Sequence, residues 1–487
     1  MTRRPIPVSP PRHRVLVLSG MLPLLALLLV PRAVAAPRVA PADRQTALDR
    51  YVAAPDPSYE WKMAVSLRDE SATGYAIDLT SQTWRTTNDV SRPTWKHWLL
   101  VVKPDNLAHS TGLLFISGGN NRGTKPPTPS QELIRIAKAT KCVVAELKMV
   151  PNQPLIMGND GVERVEDDFI GWTWDKFLRT GDETLPARLP MTKAAVRAMD
   201  TVTAFLASEA GGKATVDRFV VSGGSKRGWT TWTTAIVDDR VVSICPIVID
   251  VLNVAKSMQH HYQAYGFYAP AVGNYSEQHH TMDWLGTPEM ERLNQIEDPY
   301  EYRERLELPK LILNAAGDQF FLPDSSQFYF DQLPGVKYLR YVANADHSLR
   351  NSDAYETLLA WQSVIVNKTP FPRFGWKHGA DGTLTVTTQD KPTQVVLWRG
   401  YNAAVRDFRL ESAGPIYHSV PMEETTPGVY SARIPQPESG WVASFAELTF
   451  DVGAATPLKL TTDVRVTPDT LPFAAPNPTR PKGFLSR

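Results

Sequence analysis

Ser225 stands where a nucleophile can be built. Residues 219–232 read Phe-Val-Val-Ser-Gly-Gly-Ser-Lys-Arg-Gly-Trp-Thr-Thr-Trp: an apolar β-branched run, two glycines, a serine, then a helix-compatible segment. A tight strand-to-helix turn strains the backbone at its serine. It lifts the hydroxyl clear of the sheet and aims a helix N-terminus at charge developing in acyl transfer. Small residues are required on both sides, because strand and helix nearly touch. Gly223 lies two before Ser225, but Arg227 lies two after and Gly228 one later. The pattern is therefore G-x-S-x-x-G, which also fits a glycine-rich turn carrying an incidental serine.

Two further residues complete the chemistry. Asp318 follows an apolar run at 311–313, and His347 follows another at 336–342. The chain order is nucleophile, acid, base, with each expected at the C-terminal end of a parallel strand. In those roles His347 takes the Ser225 proton, and Asp318 fixes the imidazole tautomer. Asp250, after the apolar run 241–249, and Asp324 are rival acids. Asp346 is disfavoured, because adjacent side chains in an extended segment diverge. An oxyanion needs two backbone N–H donors. Lys226 offers one, and Gly119 or Asn120 in Gly118-Gly119-Asn120 offers the other.

The expected substrate-facing residues are Arg227, Trp229, Asp250, His261 and Tyr265. Arg227 has two readings: an ion pair steadying the helix start, or a guanidinium turned into the site to hold an anionic substrate. His260-His261 and His279-His280 invite a metal reading, but adjacent histidines point apart and no H-E-x-x-H spacing accompanies them. Packing among Tyr262, Tyr265, Tyr268 and Trp284 accounts for them, so no metal is expected. No phosphate-binding or dinucleotide fingerprint is present, and no cofactor is expected.

The elements around these residues alternate. Strands are expected at 75–84, 95–102, 113–116, 142–147, 219–222, 241–249, 311–313 and 336–342, with helices at 130–140, 192–209 and 353–364. This is an α/β pattern: an α/β-hydrolase fold with a mostly parallel sheet and helices on both faces. It spans 37–368, with cap insertions at about 150–190 and 252–308, both too long for bare connections. From residue 369 to 473 short alternating runs, one of them at 408–410, predict an antiparallel, Ig-like β-sandwich. Residues 474–487 read as a flexible Pro-rich tail.

Residues 1–36 read as a signal peptide: Arg3, Arg4, Arg12 and Arg14, an apolar stretch at 15–30, then Ala33-Val34-Ala35. A membrane anchor is the competing reading, but Pro23 and Pro31 interrupt and bound a short apolar run. No stable membrane insertion is expected after cleavage, and the destination is the periplasm or beyond. The whole chain carries a formal charge of +1. Residues 1–35 hold five arginines and no acid, so the remainder carries 1 − 5 = −4. That balance offers no electrostatic footprint for nucleic acid. A small-molecule or peptide substrate is the expected partner. Cys142 and Cys245 lie in separate apolar runs and read as buried free thiols.

The chain resembles the PhoPQ-activated pathogenicity-related proteins, a family of exported bacterial α/β-hydrolases. The likeness runs from about Leu48 to the sandwich. It rests on Gly118-Gly119-Asn120, Val150-Pro151-Asn152-Gln153-Pro154, Leu189-Pro190-Met191, Ala198-Met199-Asp200, Gly223-Gly224-Ser225-Lys226-Arg227-Gly228-Trp229, Asp250-Val251-Leu252-Asn253, Gly317-Asp318-Gln319-Phe320-Phe321-Leu322-Pro323-Asp324 and Asn344-Ala345-Asp346-His347-Ser348. The resemblance implies an exported hydrolase scaffold and leaves the substrate open. Two classes of function therefore stand: a serine hydrolase acting on an ester or amide through an acyl-enzyme, or a secreted binding protein on the same scaffold.

Overall fold

Apolar runs at strand and helix spacing build one large sheet with helices packed on both faces. The computed structural model describes residues 45–485, so the expected signal peptide lies outside the described residues. Helix α1 (Ala47–Ala53) starts in a capping box between Thr46 and Asp49. Strands β1 (Glu60–Arg68), β2 (Ala72–Thr83) and β3 (Thr94–Pro104) follow in antiparallel order. Next come β4 (Thr111–Ile116), α2 (Gln131–Thr140) and β5 (Val144–Leu147). The first insertion contains a short ladder, β6 (Leu155–Ile156) with β7 (Glu163–Arg164), and then α3 (Glu166–Thr180). Helix α4 (Arg188–Ala207) leads to β8 (Arg218–Gly224), α5 (Lys226–Val237) and β9 (Val241–Ile247). The second insertion carries α6 (Val254–Tyr265) and α7 (Pro288–Glu297), before β10 (Lys310–Ala315), β11 (Lys337–Val342) and α8 (Ala354–Asn367).

The sheet runs β1-β2-β3-β5-β4-β8-β9-β10-β11, parallel from β5 onward. This is an α/β-hydrolase sheet with β8 at its centre. Side chains alternate across it: Phe219 and Val221 join a core with Val202 of α4 and Trp232 of α5, while Val220 joins Ile136 of α2 and Leu358 of α8. Cys142 and Cys245 are buried and free.

Beyond α8 come β12 (Phe374–His378), β13 (Thr383–Thr388), β14 (Gln394–Asn402), α9 (Leu410–Ala413), β15 (Tyr417–Pro421), β16 (Glu424–Thr426), β17 (Val429–Arg433), β18 (Trp441–Phe450), β19 (Leu458–Thr461) and β20 (Arg465–Thr467). They form two antiparallel layers. One is β12-β13-β17-β16; the other, β19-β18-β14-β15, continues the main sheet, with β19 pairing β11 at Leu339 and Thr461. Leu384, Val386 and Tyr430 of the first layer pack into one core with Val395, Leu397 and Leu448 of the second.

Two expectations change here. Residues 408–410 are not a strand: the Arg409 guanidinium folds back onto Asp407, and α9 begins at Leu410. The tail is not loose over its described length. The Phe484 ring lies 5.6 Å from Phe177, and Leu485 N–H donates to Glu289 at 3.1 Å. One aromatic side chain, Phe484, anchors the end of a Pro-rich segment where composition alone reads as flexible.

Candidate active site

Ser225 sits between β8 and α5 with φ 58° and ψ −126°, the left-handed strain expected of an exposed nucleophile. Its N–H donates to Ile247 O at 2.8 Å, which pins the turn to β9. The small-residue rule is met in an altered register. A Cβ on Gly223 would lie 2.9 Å from both Ile116 O and Arg227 O, and one on Gly228 would lie 2.8 Å from Ile247 O. Gly228 supplies the clearance that Arg227 cannot.

The Arg227 side chain leaves the site. It passes Gly118, where a Cβ would lie 2.6 Å from Nη2, and ends in two bonds to Glu166 at 2.5 and 2.7 Å. Its Nε donates to Val150 O at 2.5 Å. Lys226 Nζ lies 2.9 Å from Glu166 and 3.1 Å from Asp167. Burial works to raise the Glu166 carboxyl, but bonds and charge from Arg227 and Lys226 outweigh it and hold it at about 2. Arg227 is therefore spent on an internal ion pair and lines neither cavity beside Ser225.

Asp318 leaves β10 and His347 leaves β11, and the two meet. His347 Nδ1 lies 2.8 and 3.0 Å from the Asp318 carboxylate oxygens. Asp318 also accepts from Phe320 N–H at 2.7 Å, and His347 N–H donates to Gln319 Oε1 at 3.0 Å. A proton on Nδ1 leaves Nε2 as the acceptor, and Nε2 is buried without a partner. Phe320 covers the ring at 4.4 Å between centroids.

Two cavities open beside Ser225. One is lined by Ser225, Lys226, Trp229, Arg188, Phe320 and Phe321, with aliphatic walls from the second insertion. The other is lined by Ser225, His347, Phe115 and Tyr355. The hydroxyl and the imidazole thus share a wall. The loop after β4 is held by Met149 N–H on Gly118 O at 2.9 Å and Val150 N–H on Ser117 O at 3.1 Å. Gly119 takes φ 135°, open to glycine alone. The N–H groups of Gly119, Asn120 and Lys226 make no hydrogen bond among the described residues.

Three expected substrate-facing residues lie elsewhere. Asp250 is buried under two phenols, Tyr329 at 2.5 Å and Tyr341 at 2.6 Å, and lines neither cavity. Burial raises its carboxyl to about 7 against those two bonds. His261 is buried and accepts from Ala269 N–H at 2.9 Å; burial, with Arg409 nearby, lowers it to about 3. Tyr265 lies under Arg409, whose guanidinium carbon is 4.9 Å from the ring centre. On α6 it is Val254 and Met258 that reach the cavity, while His261 and Tyr265 fall further along the helix, in the core. Trp229 does line the cavity, its indole N–H on Glu297 O at 2.6 Å. The other histidines are spent separately, His260 on Asp324 at 3.1 Å and His279 on Asp168 at 2.7 Å.

Glu166, Asp167 and Arg188 were not anticipated. Each comes from the first insertion, Arg188 at its end where α4 begins, and the family signatures quoted there include none of the three.

The model of the PhoPQ-activated pathogenicity-related protein family matches residues 48–409. The chain belongs to this family. It is 36% identical over 462 residues to autocrine proliferation repressor protein A of Dictyostelium discoideum, covering 88% of this chain and 92% of that one. Among solved structures it aligns with acetyl xylan esterase 1 from Thermoanaerobacterium sp. JW/SL YS485 at 13% identity and TM-score 0.43, covering 67% of this chain and 94% of that one. It also aligns with an S-formylglutathione hydrolase from Agrobacterium tumefaciens at 15% identity and TM-score 0.39, covering 63% and 99%. Among the described residues no helix is long and apolar enough to cross a membrane.

Proposed function

We propose that this family member is an exported serine hydrolase that cleaves an ester or amide bond of a small molecule or peptide through an acyl-enzyme. The observation that carries the reading is the pairing of a strained Ser225 with His347 on one cavity wall, Nδ1 held by Asp318 and Nε2 left free. In the reaction Ser225 Oγ attacks the carbonyl carbon as its proton passes to His347 Nε2. Asp318 stabilises the imidazolium. The developing oxyanion is received by Lys226 N–H and by Gly119 or Asn120 N–H, donors that carry no other acceptor. His347 returns the proton to the leaving group. Water then repeats the sequence and releases the acid.

A fluorophosphonate probe tests this directly. It should label Ser225, and Ser225→Ala should lose both labelling and about 10⁴-fold or more of kcat while remaining folded. Labelling at another serine, or activity surviving in the alanine variant, would overturn the assignment.

A second reading, a secreted binding protein on a hydrolase scaffold, is favoured by the name of the Dictyostelium relative, which describes a repressor. It expects a Ser225 that stays unlabelled in folded protein.

A further inference from the structure

One cation reaches the Ser225 cavity without a salt bridge to any acid among the described residues. Arg188 is only 2% exposed, yet it lines the same cavity as Ser225. Its guanidinium stacks over Trp229, the carbon 4.4 Å from the ring centre. Nε is buried with no partner, and Nη1 reaches only the Met191 sulfur at 3.8 Å. Among the described residues Arg188 makes no ion pair, whereas Lys226 and Arg227 beside it are both satisfied by acids.

Neighbouring acids are already committed. Glu297 accepts the Arg188 backbone N–H at 3.1 Å on one oxygen and the Trp174 indole N–H on the other. Asp167 is taken by Lys226 and by the Tyr275 hydroxyl at 2.9 Å. Arg188 also opens a 20-residue helix with no acid in its first turn. A cation there faces the positive end of the helix dipole, and a buried charge without a partner is costly. Fork and dipole both favour an anion from outside the chain. Asp167 and Tyr275, bonded to each other, also line the cavity; Val251, Met258, Val272 and Met282 give it an apolar wall that suits a methylene chain between that anion and Ser225.

Resting on the hydrolase reading above, we propose that Arg188 anchors a carboxylate at the far end of the substrate's acyl group. The site then prefers half-esters or half-amides of dicarboxylic acids over plain acyl compounds. A planar guanidinium receives a carboxylate through two parallel bonds, which fixes position as well as charge.

Chain-matched 4-nitrophenyl esters decide the question: hemiglutarate against valerate, and hemisuccinate against butyrate. The native protein should favour the carboxylate member of each pair by on the order of 10- to 100-fold in kcat/KM, and Arg188→Met should bring that ratio towards one. A native ratio of one or below overturns the proposal, as does an unchanged ratio in the variant. The native ratio is decisive alone if Arg188→Met does not fold. Calorimetric titration of Ser225→Ala with glutarate separates the two readings. Glutarate binding that is lost on adding Arg188→Met, without turnover of any ester, keeps the anchor and sinks the hydrolase. Turnover of neutral esters with neither glutarate binding nor preference sinks the anchor alone.

Discussion

Asp318 and Asp250 are both buried aspartates at strand ends, and their partners separate them. Asp318 is hydrogen-bonded to His347, while Asp250 is capped by two phenols away from either cavity. Asp318→Asn should lower kcat by about 10⁴-fold with little change in KM, because it presents the wrong imidazole tautomer. Asp250→Asn should spare turnover and alter the pH dependence of stability instead. Its folded value near 7 exceeds the ordinary 3.8, so between those values the unfolded chain has released a proton that the fold retains. The stabilisation is complete below about 4 and lost as pH rises through 7, a span of roughly 4 kcal/mol. Asn cannot ionise, so thermal melts at pH 5 and pH 8 should lie closer together in the variant. Asp298, also raised to about 7 by burial, leaves a residual slope of the same sign. An undiminished gap would refute the assignment.

The elbow is the element in which backbone clearance sets residue type. At Gly223 a Cβ would meet two backbone carbonyls at 2.9 Å, whereas at Gly224 its nearest neighbour is Val248 Cγ2 at 4.0 Å. Gly223→Ala should therefore lower stability by about 1–3 kcal/mol and Gly224→Ala by less, read from denaturant midpoints at constant m. Equal effects at the two sites would contradict the packing described. Other elements show why sequence patterns stop short. Strand β1 is absent from the expected strands although Trp61, Met63, Val65 and Leu67 alternate with Lys62, Ala64, Ser66 and Arg68; as an edge strand it buries little of either face. Helix α3 starts at Glu166, φ 51°, without a side-chain cap from Val165, so three acids in its first turn were the one start signal, and they did not show which of them pairs with Arg227. Helix α4 begins at Arg188, ahead of Pro190; a proline in the first turn is compatible with a helix but reads as its boundary.

Across the whole molecule, the C-terminal layers brace the loops that carry Asp318 and His347. Leu410 N–H donates to Gly317 O at 2.9 Å, and Tyr417 exchanges two bonds with Asn344 at 2.8 and 2.9 Å. Arg406 reaches Asp324 at 2.6 Å. These contacts sit beside Asp318 on one loop and His347 on the next. Truncation after residue 368 would also uncover the edge of β11 and the partners of Leu458 and Leu460. The shortened chain should aggregate or lose fluorophosphonate labelling, measured by light scattering and probe gel. A soluble truncation with full labelling would show that the sheets are independent of the site.

Strand ends, the Ser-Asp-His order and the glycine-flanked turn were legible because each is a local pattern: β-branched runs need no partner to be recognised, and a strained turn demands particular residues. The sequence determined the scaffold and singled out Ser225, Asp318 and His347 as candidates for the central chemistry. Which charges are spent and which are free was decided by tertiary structure. Arg227, two residues after Ser225 in the chain, is consumed by Glu166, sixty-one positions away. Arg188 enters the cavity because α4, α5 and the insertions converge there. Pairing depends on distances of a few ångströms between segments remote in sequence, and no local spacing encodes those distances.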